Sequence, residues 1–292
     1  MPREIAQALE IVQRRDPAAI EDALALLQRV VFAFSMKLCG QREDAQDTTQ
    51  ETLLVTVPYL HRFDSPDALA VWLYKVARSR CLMSRRESKF APRAWAPLEE
   101  AERKPDTPAV TRPRDGATPE KRLLGQERRR HLQRAVLKLP HSYRLPLVLH
   151  DMEGLSTRQT AEILGIKEGT VRVRLHRARL FLRDELAGSL AGAPRGTPPT
   201  RSASSARCKK LVAECSDYLD ARLDEAVCDR IRTHVAGCAP CRAFLATMQA
   251  TIDQCRAHRP GGPRPRLTAR MRRLLLEDYR RAVRSLNARA ED

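Results

Sequence analysis

His234, Cys238 and Cys241 follow one another as His-x3-Cys-x2-Cys, a spacing that suits metal ligation. On a helix ending near Ala236, the imidazole sits one turn before the Cys-x-x-Cys knuckle, so three donors can converge on one tetrahedral ion. A closed site needs a fourth ligand. Cys208 is the first choice, since 26 residues before His234 it would open a preceding helix; Cys215 and Cys228 compete for the place. Thiolates with one imidazole favour Zn2+, as a single structural or regulatory ion. Five of the eight cysteines fall between Cys208 and Cys241. Such clustering points to metal ligation or redox chemistry rather than a disulfide framework.

A second set of residues suits nucleic acid. In LSTRQTAEILGIKEGTVRVRLHRARLFLRDEL, Ser156 and Gln159 have capping-box spacing, Ala161, Ile163 and Leu164 supply an inward face, and Gly165 permits a tight turn. A second helix starts near Glu168, with an apolar stripe of Val171, Leu175, Ala178 and Leu182. Its other faces carry Arg172, Arg174, His176, Arg177 and Arg179, with Lys167 and Thr170 at its start. A short helix, a glycine turn and a basic second helix make a helix-turn-helix, whose second helix enters the major groove. Arginine forks can bond guanine O6 and N7 there, while other arginines hold phosphates.

These residues need a scaffold, and every periodic segment reads as helix. Ile20, Leu24, Leu27, Val31, Phe34 and Leu38 have the spacing of an amphipathic helix, and strand-like alternation is not sustained anywhere. The expected class is all-α. Two stretches rich in Pro or in Gly and Ser, residues 88–118 and 188–207, read as flexible linkers. They divide the chain into segments 1–87, 119–187 and 208–258, followed by 259–292, which ends in a basic amphipathic helix. That last helix has apolar positions Leu267, Met271, Leu274, Leu275, Tyr279 and Val283 with which to pack on another segment.

The net charge is +17 over 292 residues, which calls for a polyanionic partner. No apolar run approaches the roughly 18–20 residues needed to span a bilayer, and the N-terminus has no signal-peptide core. A cytoplasmic protein acting without a membrane is expected.

At this point the chain resembles a family. PEKRLLGQERRRHLQRAVLKLPHSYRLPLVLHDMEGLSTRQTAEILGIKEGTVRVRLHRARLFL is similar to the region-four domain of extracytoplasmic-function (ECF) sigma factors, which reads the upstream promoter element. EDAQDTTQETLL (Glu43–Leu54) and DALAVWLYKVARSRCLMSRR (Asp67–Arg86) resemble two motifs of the region-two domain. The resemblance implies that segment 1–87 is region two and 119–187 region four. It further implies that Asp44, Asp47, Gln50 and Glu51 dock on core RNA polymerase, and that Trp72, Tyr74, Lys75, Arg78, Ser79 and Leu82 lie near melted DNA. Asp44, Asp47 and Glu51 share a helix face by their own spacing. Thr48 and Thr49 stand where the family usually has an apolar pair, and Ser79 where asparagine is common.

Segment 208–258 resembles the zinc-containing anti-sigma domains through Cys208, Tyr218, Leu219, Asp220, Leu223, His234, Cys238, Cys241 and Arg242, with Ala221 in place of the usual glycine. The function implied is a sigma factor that brings core polymerase to promoter DNA, modulated in cis by a zinc-binding tail in contact with the sigma domains. No catalytic residues are expected. The alternative is a helix-turn-helix regulator that does not act as a sigma subunit, and the region-two motifs speak against it.

Overall fold

The computed structural model describes residues 2–14, 19–90, 119–187, 206–258 and 267–290, the side chains of 84–90, 119–122 and 285–290 excepted. Most of the two expected linkers and of the 259–266 stretch lies outside the described residues. Among the described residues the secondary structure is entirely helical. Contacts gather into two units, one of residues 1–119 with 259–292 and one of residues 120–258.

The first unit is built from α1 (Arg3–Gln13), α2 (Ile20–Cys39), α3 (Arg42–Thr56), a 3-10 turn (Val57–Arg62) and α4 (Pro66–Phe90), joined by the last helix, α12 (Ala269–Ala290). The α2 stripe of Ile20, Leu24, Leu27, Val31, Phe34 and Leu38 is buried throughout. α3 is the polar exception in this core, because it buries Thr48, Thr49, Thr52 and Thr56. Thr49, Thr52 and Thr56 donate their hydroxyls to the carbonyls of Ala45, Thr48 and Thr52 at 2.6, 2.6 and 2.7 Å. Each such bond removes the desolvation penalty that an unpaired hydroxyl would carry. Thr49, Thr52 and Thr56 can therefore stand in the buried row.

α12 packs on the 3-10 turn, α2 and α3. It buries Leu275, Leu276 and Tyr279, with Leu267 just ahead of it. The sequence stripe included Leu274 and omitted Leu276; Leu274 is 42% exposed, so the buried face is rotated by part of a turn. Arg272 reaches Glu21 of α2 at 3.7 Å.

The second unit runs through α5 (Pro119–Lys138), α6 (His141–Leu147) with a π-helical turn (Val148–Met152), α7 (Thr157–Leu164), α8 (Glu168–Leu186), α9 (Ala206–Leu219), α10 (Glu225–Gly237) and α11 (Ala239–Ala257). The end of α5 is closed by buried Arg144 of α6. Its guanidinium donates to the carbonyls of Val136 at 3.1 Å, Leu139 at 2.8 Å and Leu137. Those are orphan acceptors of a helix C-terminus, where a cation is also favoured by the helix dipole.

Ser156 and Gln159 open α7 reciprocally, with Gln159 N–H donating to Ser156 Oγ at 3.1 Å and Ser156 N–H to Gln159 Oε1 at 2.9 Å. Gly165 ends the helix at φ 66°, where a Cβ is disfavoured, and α8 then starts at Glu168. Val171, Leu175, Ala178 and Leu182 are all buried. A core of α9, α10 and α11 gathers Leu211, Ile231, Phe244, Leu245, Met248 and Ile252, and Leu180 of α8 packs against it. No helix among the described residues is long and apolar enough to cross a membrane.

Candidate nucleic-acid interface and metal centre

Cys208 lies in the first turn of α9, His234 in the last turn of α10, Cys238 at the N-cap of α11 and Cys241 in its first turn. The structure brings the donor atoms of these four within 4.8 Å of one another. His234 Nε2 is 3.5 Å from Cys208 Sγ and 3.2 Å from Cys241 Sγ. A tetrahedral zinc with Zn–S about 2.3 Å and Zn–N about 2.0 Å sets sulfur and nitrogen about 3.5 Å apart, so the spacing suits that ion.

The chemistry of the donor set agrees. Burial, then the thiols of Cys238 and Cys208, push the Cys241 thiol up to about 12. Crowded, buried thiols ionise with difficulty unless a cation takes the charge. The competing cysteines sit elsewhere: Cys215 contacts His176 and the Val212 carbonyl, and Cys228 the Leu223 carbonyl.

A second acidic group, His150, Asp151 and Asp220, also has ligand-like proximity. It already holds a cation, the guanidinium of Arg179. Nε and Nη2 of Arg179 donate to Asp151 at 2.8 and 2.6 Å, and Nη1 and Nη2 donate to Asp220 at 2.9 Å each. Burial pushes the Asp151 carboxyl up, but Arg179 and then His150 outweigh it and hold the group at about 2. Burial alone would lower the Arg179 pKa; the two carboxylates reverse that and raise it well above the ordinary value.

This arrangement corrects part of the sequence reading. Arg179 was expected at the DNA, yet its side chain is 0% exposed. His176 is half-buried against Ser216, Nδ1 to Oγ 3.0 Å, and burial followed by the Arg179 charge holds its pKa below the ordinary value. Other basic positions at the start and middle of α8 are open instead. Lys167, Arg172 and Arg177 are exposed, Thr170 and Arg174 half-exposed, and Val173 stands 52% exposed between the arginines. Arg177 donates to Tyr143 Oη at 3.4 Å.

In the first unit, Asp47 and Glu51 of α3 are exposed and Asp44 and Gln50 partly so, with Glu51 3.8 Å from Arg80. On α4, Ser79 is exposed and Lys75, Arg78 and Leu82 are half-buried. Tyr74 departs from expectation, because it is 1% exposed and packs edge-on against Phe34 at 4.7 Å between centroids, out of reach of a base. Trp72 is half-exposed and has two aromatic neighbours, Tyr59 and Phe63, each 6.0 Å away. Arg62 lies over Tyr59 at 5.2 Å. Tyr59 and Phe63 were not anticipated; their four-residue spacing on either side of His61 and Arg62 was the available signal.

Helical domains carry a capped helix-turn-helix with an arginine-rich second helix and a Cys3His cluster whose spacing is compatible with zinc. Family models put names to these regions. Sigma-70 region 2 matches residues 24–91, Sigma-70 region 4 matches residues 129–182, and the family described as "Putative zinc-finger" matches residues 208–242. ECF RNA polymerase sigma factor SigW of Bacillus subtilis is 28% identical over 186 residues, covering 64% of this chain and 98% of that protein. SigF of Caulobacter vibrioides is 31% identical over 172 residues, covering 59% of this chain and 87% of that protein. SigE of Mycolicibacterium smegmatis is 34% identical over 158 residues, 54% of this chain and 57% of the relative. The chain belongs to the ECF family of sigma-70 factors and carries an anti-sigma-like zinc-finger region behind its sigma regions.

Proposed function

We propose that residues 1–87 and 119–187 act as sigma regions two and four, binding core RNA polymerase and directing it to a subset of promoters, while residues 208–258 hold one Zn2+ and modulate that activity in cis. The observation that carries the reading is the division of α8. Lys167 at its N-cap, Arg172 and Arg177 remain exposed, while His176 and Arg179 are engaged by Ser216 and Asp220 of the zinc-finger region. That division supports a tail that holds region four without covering the start of the reading helix.

Asp44, Asp47, Gln50 and Glu51 form the proposed polymerase contact, an acidic face on a protein of net charge +17. Trp72, with Tyr59 and Phe63 beside it, offers π-faces for bases drawn from the melted strand. Lys75, Arg78 and Ser79 flank it on α4. Cys208, His234, Cys238 and Cys241 would hold the ion, whose chemistry here is the linking of α9, α10 and α11 rather than activation of water. A sigma role involves no bond-making by the chain, and it places the protein in the cytoplasm with the chromosome.

The test is co-elution with core polymerase. The full chain is expected to form a stable complex, and Asp47→Lys with Glu51→Lys to weaken it at least tenfold. A chain that binds duplex DNA but never core polymerase would overturn the reading in favour of a simple helix-turn-helix regulator.

A further inference from the structure

α9 is fastened at both ends to different things. Cys208, in its first turn, belongs to the Cys/His cluster. Ser216, in its last turn, and Asp220, just past its end, reach α8. All five N–H groups of the Arg179 guanidinium have acceptors. Asp151 takes two, Asp220 takes two, and the second Nη1 proton points to the Ser216 carbonyl at 3.5 Å. The α9 end therefore supplies acceptors for three of the five N–H groups, and Asp151 for the other two, around a charge that solvent does not reach.

The face of α8 is split by this arrangement. Arg172 and Arg179 are seven residues apart, two helical turns, and so share one side. Arg172 is exposed and Arg179 is fully buried. One turn further on, Arg183 is also buried and lies 4.4 Å over the Phe244 ring of α11. A helix moves as a rigid rod over such a distance, so what grips Arg179 also sets where Arg172 points.

We infer that Asp220 is a positioning residue for duplex reading: through Arg179 it fixes the pose of α8, and α9 links that grip to the Cys/His cluster. The inference rests on the reading of α8 as the DNA-facing helix and of the tail as its modulator. Loosening Cys208 at one end of α9 would then be felt at Arg179 at the other, because the helix between them is continuous over Ala206–Leu219. Ala221, directly after Asp220, lies at φ 53° in the turn that follows α9.

The test uses the full zinc-loaded chain and backbone amide exchange read by peptide mass. Asp220→Asn keeps the volume but replaces a bidentate acceptor with a group that accepts at one atom only. It is expected to speed exchange across Val171–Leu186 about tenfold or more, with α1–α4 unchanged and α10 and α11 still protected. Asp220→Glu is expected to restore most of the protection, which a mere loss of folding would not allow. Stripping zinc with a chelator should speed the same α8 peptides in the parent chain, and by less than twofold more in Asp220→Asn.

The inference is overturned if α8 exchange ignores Asp220→Asn, or if the chelator's effect stays within α9–α11. It is also overturned if Asp220→Asn binds a labelled 30-base-pair duplex more tightly than the parent, since the tail would then mask α8 rather than position it. The wider proposal fails separately, by absence of core-polymerase binding, whatever α8 does.

Discussion

Arg179 meets Asp151 through two parallel hydrogen bonds, at 2.8 and 2.6 Å, with both side chains at 0% exposure. Breaking a buried pair by removing one partner costs about 3–5 kcal/mol, because the other charge is left without compensation. Arg179→Ala is therefore expected to lower the unfolding free energy of the second unit by that order. Arg172→Ala, on the exposed part of the same helix, should change stability by about 0.5 kcal/mol or less and instead weaken duplex binding. Urea unfolding followed by circular dichroism, beside duplex titrations of both variants, separates the two arginines.

The same pair sets an acid limit. The Asp151 carboxyl is held at about 2, below the ordinary 3.8. A depressed folded-state value means stability that is complete above about pH 4 and lost as pH falls toward 2. The advantage of the parent chain over Asp151→Asn should hold constant above pH 4 and shrink, by on the order of 2 kcal/mol, between pH 4 and 2. Urea midpoints of the two proteins across that range give the result, and loss of metal in acid, common to both, cancels in the difference.

Ala221 adopts φ 53°, in the left-handed region where a Cβ is penalised. Ala221→Gly is expected to stabilise the second unit by about 1 kcal/mol. The reverse change at Gly165, φ 66°, should destabilise it by a similar amount, although an added Cβ would meet nothing within 4 Å. Melting temperatures of the two variants should therefore move in opposite directions.

Much of this architecture is legible in local patterns. The Ser156–Gln159 box, the glycine turn and the α8 stripe depend on neighbours three or four residues apart, and the Cys/His spacing on one helix end. What local patterns do not carry is which arginine of a basic helix turns inward. Arg172 and Arg179 have the same side chain on the same helix, and the difference is supplied by Asp151, 28 residues before Arg179, and Asp220, 41 residues after it. Tyr74 was misplaced for the same reason, since its partner Phe34 lies on another helix. Leu276 displaces Leu274 from the buried face of α12 through packing that no periodicity specifies.

The four cluster donors are expected to bind one zinc per chain. Cys208→Ser and Cys241→Ser should lose most of it, while Cys215→Ser and Cys228→Ser retain it, by elemental analysis after desalting. Burial pushes the Cys215 thiol up to about 11, so iodoacetamide at neutral pH should leave it unmodified in the native chain. After chelation Cys238, the half-exposed member of the cluster, should be alkylated first; mass mapping reads the order.

Trp72 and Tyr74 should behave differently despite their proximity on α4. Tyr74→Ala removes a core ring and is expected to cost about 3–5 kcal/mol of stability. Trp72→Ala should leave the fold in place and weaken binding of a single-stranded oligonucleotide by about 1–3 kcal/mol. Fluorescence anisotropy with a labelled strand, alongside thermal melts, checks both.

The most direct test is run-off transcription with core polymerase on templates carrying the gene's own upstream region, comparing the parent chain with Cys238→Ser/Cys241→Ser. Initiation is expected at a defined site that depends on this chain, at a level altered by the cysteine substitutions. Transcription that never depends on the chain would contradict the sigma assignment, and identical output from the two proteins would contradict control by the zinc region.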